Sequence, residues 1–120
     1  MNNSINLLVK VCHDASVTAG WYNDPITKLP LRTNKGEKLM LIVSEITEAM
    51  EGERKDIMDE HLPHRKMVEV ELADAVIRIC DYCGRFKYDL GGAIVEKLEY
   101  NRTRADHQIK NRVKENGKKF

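Results

Sequence analysis

The chain has 120 residues, 42% of them apolar and 32% charged, with a formal net charge of +1. That length fits one small domain, 1–120, with a real core, and the near-neutral balance gives no overall pull toward nucleic acid or a membrane surface. No apolar run approaches the ~18 residues a membrane span needs, and the polar residues Asn2, Asn3, Ser4 and Asn6 argue against a secretory leader. Three cysteines are an odd number without a disulfide pattern, so a reducing, cytoplasmic setting is expected. Charge is unevenly spread. Residues 97–120 hold eight Lys/Arg against three Asp/Glu, a basic end on an otherwise acidic chain.

In chain order the pattern is helical, with almost no strand signal. Ile5, Leu8, Val9, Cys12 and Val17 predict a first helix from about Ser4, its expected N-cap, to Gly20. Pro25, Pro30, Gly36 and several Asn and Thr mark residues 21–36 as a loop. A second helix is expected over 37–53. A connector containing Asp56, Asp59, His61, Pro63 and His64 follows, with Pro63 a candidate start for the next helix. That third helix is expected over 65–83, with Gly84 as its C′ residue. Gly91-Gly92 opens a fourth reaching about Arg104, and the tail has room for a short helix before Gly117. The expected fold class is all-α.

Two acidic doublets stand out. Glu45-x-x-Glu48 and Glu71-x-x-Asp74 each place two carboxylates on one helix face. On the second helix, Leu39, Val43, Ile46 and Met50 form the expected core stripe, while Lys38, Leu41, Glu45 and Glu48 align beside it. On the third, Glu71, Asp74, Arg78 and Asp81 share a face next to Leu72, Val76, Ile79 and Cys83. Packing the two helices draws the carboxylates to a partly buried seam. Clustered carboxylates repel unless cations sit among them, and all-oxygen sites suit Mg²⁺ or Mn²⁺. Lys97-x-x-x-Asn101-x-x-Arg104 adds two cations and an amide on one helix face, a complement for phosphate oxygens. No phosphate-binding loop of the G-x-x-x-x-G-K-[ST] type is present.

The order of these segments resembles the MazG-type all-α nucleoside triphosphate pyrophosphohydrolases. The resemblance extends to Lys38-Leu-Met-Leu-Ile-Val-Ser-Glu45. Asp59-Glu-His-Leu-Pro-His-Arg65 and Ile77-Arg-Ile-Cys-Asp81 look like a phage and bacterial branch, so the likeness covers roughly residues 13–107. It implies a MazG-like helical bundle completed by oligomerisation, a homodimer or homotetramer. It also implies Mg²⁺ or Mn²⁺ held by Glu45, Glu48, Glu71 and Asp74, and hydrolysis of a (d)NTP between the α and β phosphates to a monophosphate and pyrophosphate. Attack by water on the α-phosphorus would use Glu48 or Glu45 as proton acceptor. Lys97, Asn101, Arg104 and Lys38 would contact phosphates. His13, Trp21 and Tyr22 are candidates to stack on the base. Asp81 is a candidate acceptor for a guanine edge, making dGTP the first substrate to consider. Many family members carry a further glutamate immediately before the first doublet. Ser44 stands there in this chain, which leaves open any role that extra carboxylate plays elsewhere.

Plainer readings accompany each of these. Acidic pairs at this spacing are common on solvated helix faces. Trp21 can serve a core, and Asp81 can pair with Arg78 or Arg85. Cys80-x-x-Cys83 with His61 and His64 suggests zinc, but the thiols fall on the apolar stripe and read as buried core groups. His13-Asp14 alone is too common to mark an HD-type phosphohydrolase. The alternative function is a non-enzymatic helical binding or regulatory module that uses the basic C-terminal segment.

Overall fold

A computed structural model describes residues 1–120. It is all-helical: α1 (Asn2–Thr18), α2 (Lys35–Lys55), α3 (Met67–Phe86), α4 (Leu90–Thr103), a 3₁₀ turn (Ala105–His107) and a short α5 (Ile109–Arg112). Extended pairing is limited to two isolated bridges, Asn23 with Pro30 and Met58 with Lys66. The helical periodicity therefore placed all four main helices, with ends that differ by a few residues. The chain divides into two compact units, one of residues 7–88 and one of residues 1–6 with 89–120.

Within the larger unit, α2 starts where Asn34 accepts a bond from the Glu37 N–H at 2.9 Å, satisfying one free donor of the first turn. It ends at Asp56, which takes the left-handed conformation (φ 48°). Helix α3 begins at Met67, so Pro63 lies in the connector rather than at the helix start. Asp59 organises that connector. Its buried carboxylate accepts the His61 and Leu62 N–H groups at 2.9 and 2.8 Å.

Gly84 does not end α3, as the sequence suggested. The helix runs through it to Phe86 and stops at Lys87, again left-handed (φ 59°). Gly84 instead admits α1: a Cβ built there would lie 2.5 Å from His13 Cβ. Ser4 likewise lies inside α1, not at its cap.

Helices α2 and α3 pack along one another. Gly52 lets Met67 close, since a Cβ at 52 would meet Met67 and the Val68 backbone at 3.0 Å. The buried residues of α2 are Glu45, Ala49 and Gly52, and those of α3 are Ala75, Cys80 and Cys83. The expected core stripe holds only in part: Cys83 of the α3 stripe is buried. Leu39, Val43, Ile46 and Met50 are about half exposed, as are Leu72 and Val76. Small residues and a carboxylate make the seam, because only they allow two backbones this close, and the large apolar side chains point away from it.

In the smaller unit, Asp89 caps α4 by accepting the Gly92 N–H at 2.9 Å. Asn6 ties the start of α1 to this cap, donating to Asp89 at 2.8 Å and accepting from the Gly91 N–H at 2.9 Å. No helix is long and apolar enough to cross a membrane.

Candidate metal centre and adjoining pocket

Helix periodicity places Glu45 on the inner face of α2 and Glu71 and Asp74 one turn apart on the facing side of α3. One carboxylate oxygen from each of the three lies within 4.8 Å of the other two. Glu45 is 8% exposed. Glu48, the fourth expected ligand, is more exposed and stands outside this three-way set, although its carboxyl interacts with both Glu45 and Glu71.

The cluster does not titrate as three ordinary acids. Burial pushes Glu71 up to about 8, reinforced by the carboxyls of Glu45 and Glu48. Asp74 is raised by burial and by the charge of Glu45. Burial also acts to raise Glu45, but the Arg78 guanidinium and the Glu71 carboxyl donate to it and hold it below its usual range. The two neighbours are thus displaced in opposite directions, Glu45 toward the carboxylate and Glu71 toward the protonated form. Arg78 Nε donates to Glu45 Oε1 at 2.8 Å, a pairing the sequence reading did not make. Its only cue was phase: Arg78 is four residues beyond Asp74 and seven beyond Glu71, on the same face, which brings it to the cluster without naming its partner.

One turn further along α3, Asp81 anchors a second network. Its Oδ1 lies 2.9 Å from His13 Nδ1. Its Oδ2 accepts Tyr22 OH at 2.8 Å and Ser16 Oγ at 3.1 Å. Neither Arg78 nor Arg85 pairs with it. Arg78 is on Glu45, and Arg85 lies over the Tyr22 ring at 4.7 Å. Three bonds leave a carboxylate little remaining capacity, so Asp81 serves first to fix α1 and the 21–36 loop against α3. Burial and the Asp81 charge hold the Tyr22 phenol protonated, well above its ordinary range. Tyr22 is buried and meets His13 edge to face, its phenol spent on Asp81. Sequence reasoning missed Ser16, whose place one turn after His13 was its only cue.

Beside this network is a pocket of about 440 Å³, lined among others by Cys12, Trp21, Lys38, Leu41, Arg78 and Asp81. Trp21 is 72% exposed at its edge. Lys38 lies with its Nζ 4.6 Å from the Tyr22 ring centre. Of the expected base-contacting residues, Trp21 and Asp81 therefore border one cavity, and His13 stands behind Asp81.

The chain matches no family model, no curated protein and no solved structure.

The expected phosphate contacts Lys97, Asn101 and Arg104 belong to the smaller unit. Lys97 and Arg104 flank the Tyr100 ring at 4.8 and 5.7 Å. Arg104 is held by Asp106 through two bonds of 2.9 and 2.7 Å. Asn101 Oδ1 is buried with no hydrogen-bond partner.

Cys80 and Cys83 are buried on α3, with Cys80 interacting with Cys12 of α1, and no group of three metal-ligating side chains includes a cysteine or a histidine. Burial pushes the Cys80 thiol up to about 11 and raises Cys12 and Cys83, which makes all three poor ligands and poor nucleophiles. His61 and His64 are exposed on the connector.

Proposed function

We propose that the carboxylate cluster is a divalent-cation site, and that the chain hydrolyses nucleoside triphosphates between the α and β phosphates. The observation that carries this reading is the convergence of Glu45, Glu71 and Asp74 from two helices, in the order and spacing of the pyrophosphohydrolase pattern. Three hard oxygen donors fit Mg²⁺ or Mn²⁺, and Glu48, outside the three-way set, is the proposed further ligand or acceptor of a proton from water. When bound, such an ion would supply charge to screen phosphate oxygens and acidify water. Glu45, Glu71 and Asp74 hold the site, and Lys38 and Arg78 bring positive charge to the pocket wall. Trp21 offers a flat apolar surface for a base. Lys97, Asn101 and Arg104, which belong to the smaller unit, are proposed to bind phosphate on the strength of their spacing alone. A second copy of the chain is the proposed cover for the apolar stripe Leu39, Val43, Ile46 and Met50, which the chain leaves exposed.

The deciding assay offers all common NTPs and dNTPs with Mg²⁺ or Mn²⁺ and follows the products. Monophosphate with pyrophosphate is expected, falling by at least about 100-fold in Asp74→Ala or Glu48→Ala, the scale of losing an essential electrostatic or acid–base group. Diphosphate with orthophosphate, or no turnover of any nucleotide, would refute the assignment.

A further inference from the structure

Glu45 is among the most enclosed ionisable side chains of its unit, and it already holds a cation. Arg78 reaches it from α3 at 2.8 Å, and the same guanidinium acts on Asp74. The two partners are unequally placed. The Glu45 side chain is 11% exposed and the Arg78 side chain 43%. Arg78 also lines the pocket that Lys38, Trp21 and Asp81 border. Nothing on the pocket side binds it, because the Asp81 oxygens are taken by His13, Ser16 and Tyr22. Arg78 is thus fixed at a single carboxylate, on a flexible stem, with open space beside it.

An ion pair of this form is ordinarily needed in every state of a protein. A cation that sits on a metal-ligating carboxylate is different. It offsets the cost of a buried charge only until a dication arrives, after which the two positive groups repel. We infer that Arg78 is a resident counter-cation of the carboxylate cluster, displaced from Glu45 when a divalent ion binds and released toward the pocket it lines. The inference rests on the divalent-cation reading given above. It makes Arg78 a positioning residue that holds the Glu45 carboxylate in place at the seam before the metal arrives.

The consequence follows from linkage. If guanidinium and metal compete for one carboxylate, removing the guanidinium strengthens the metal by the factor with which the guanidinium stabilised the metal-free chain. The test uses the full chain and Arg78→Gln, with Arg78→Lys as the charge-conserving variant. Mn²⁺ binding is followed by titration calorimetry, and thermal unfolding by circular dichroism across a Mn²⁺ series at fixed pH and ionic strength. Arg78→Gln should bind Mn²⁺ tighter by about tenfold or more, within the usual range of a coupling between two ligands, while Arg78→Lys stays within about threefold of the parent. The melting temperature of Arg78→Gln should lie below the parent without metal and meet it at saturating Mn²⁺. A fixed structural pair would give unchanged or weaker Mn²⁺ affinity in Arg78→Gln and a melting deficit that metal does not repair. That result overturns the inference and leaves the cation site standing. Absence of Mn²⁺ binding by both proteins overturns the inference together with the reading beneath it. If Arg78→Gln does not fold alone, refolding in Mn²⁺ decides: recovery supports displacement, and failure with Mn²⁺ present refutes it.

Discussion

Glu45 and Glu71 are the same residue type in one cluster, yet they are displaced in opposite directions. The difference lies in the donors: Arg78 and the neighbouring carboxyls bond Glu45, whereas Glu71 is left to burial and to the carboxyls of Glu45 and Glu48. For Glu71, the folded chain favours the protonated form. Its contribution to stability is complete below its ordinary value near 4.5 and declines as pH rises toward about 8. The depressed Glu45 works the other way, and its contribution is lost only as pH falls below its ordinary carboxylate range. Metal-free protein should therefore melt at lower temperature at pH 8 than at pH 5, and Glu71→Gln should flatten that slope. Equal slopes in the two proteins would show that Glu71 is not the group responsible. If the cluster takes the proposed Mn²⁺, the ion must displace the Glu71 proton, so its affinity should rise with pH up to about 8 and its binding should release protons, which calorimetry in buffers of different ionisation enthalpy measures. Asp81 makes a separate prediction. Asp81→Ala strands Ser16, Tyr22 and His13 and should cost roughly 2–4 kcal/mol of unfolding free energy, a scale set by charged hydrogen bonds left half-made. The carboxylate cluster was readable in the sequence because helical phase is enough to align i, i+3 acids. Arg78 on Glu45 and Ser16 on Asp81 were not, because a surface arginine or serine has many possible partners and only packing selects one.

Among the elements, α2 and α3 show how far periodicity reaches. It located both helices and the seam between their acidic faces. It assigned the core to an apolar stripe of which Cys83 is buried and Leu39, Val43, Ile46, Met50, Leu72 and Val76 are half exposed, while Glu45, Ala49, Gly52 and Ala75 are enclosed. An apolar stripe states that a face is to be covered and does not state by what. Gly84 teaches the same lesson. Near a helix end, glycine reads as a stop signal, yet here the missing side chain is what allows α1 to approach α3. Gly84→Ala should thus destabilise by roughly 1–3 kcal/mol, as overpacking does, because His13 Cβ cannot give way without moving α1. Chemical denaturation with an unchanged m-value would check it. A neutral result would mean that α1 is free to shift.

For the molecule as a whole, the buried apolar inventory is short: Val9, Cys12, Tyr22, Ala49, Ala75, Cys80 and Cys83. Against it stand Leu39, Val43, Ile46 and Met50, half exposed along one side of α2. Small chains bury a limited share of their surface, and association is a common supplement. If a second copy covers this stripe, light scattering should give at least a dimer, and Val43→Glu with Ile46→Glu should yield a smaller species of lower melting temperature. An unaltered mass in that double variant would exclude the α2 stripe as the interface. The sequence displayed the stripe plainly. A partner outside the chain leaves no periodicity of its own, so its identity was not legible there.

Trp21 offers a practical means of watching these events. It is the chain's single tryptophan, sits largely in solvent, and borders the same cavity as Arg78 and Lys38. Indole emission therefore originates from one place, at the mouth of the pocket. A nucleobase laid against it would quench that light, and a guanidinium entering the cavity would alter its colour. The unmodified chain thus carries its own optical reporter of occupancy, with no dye attached.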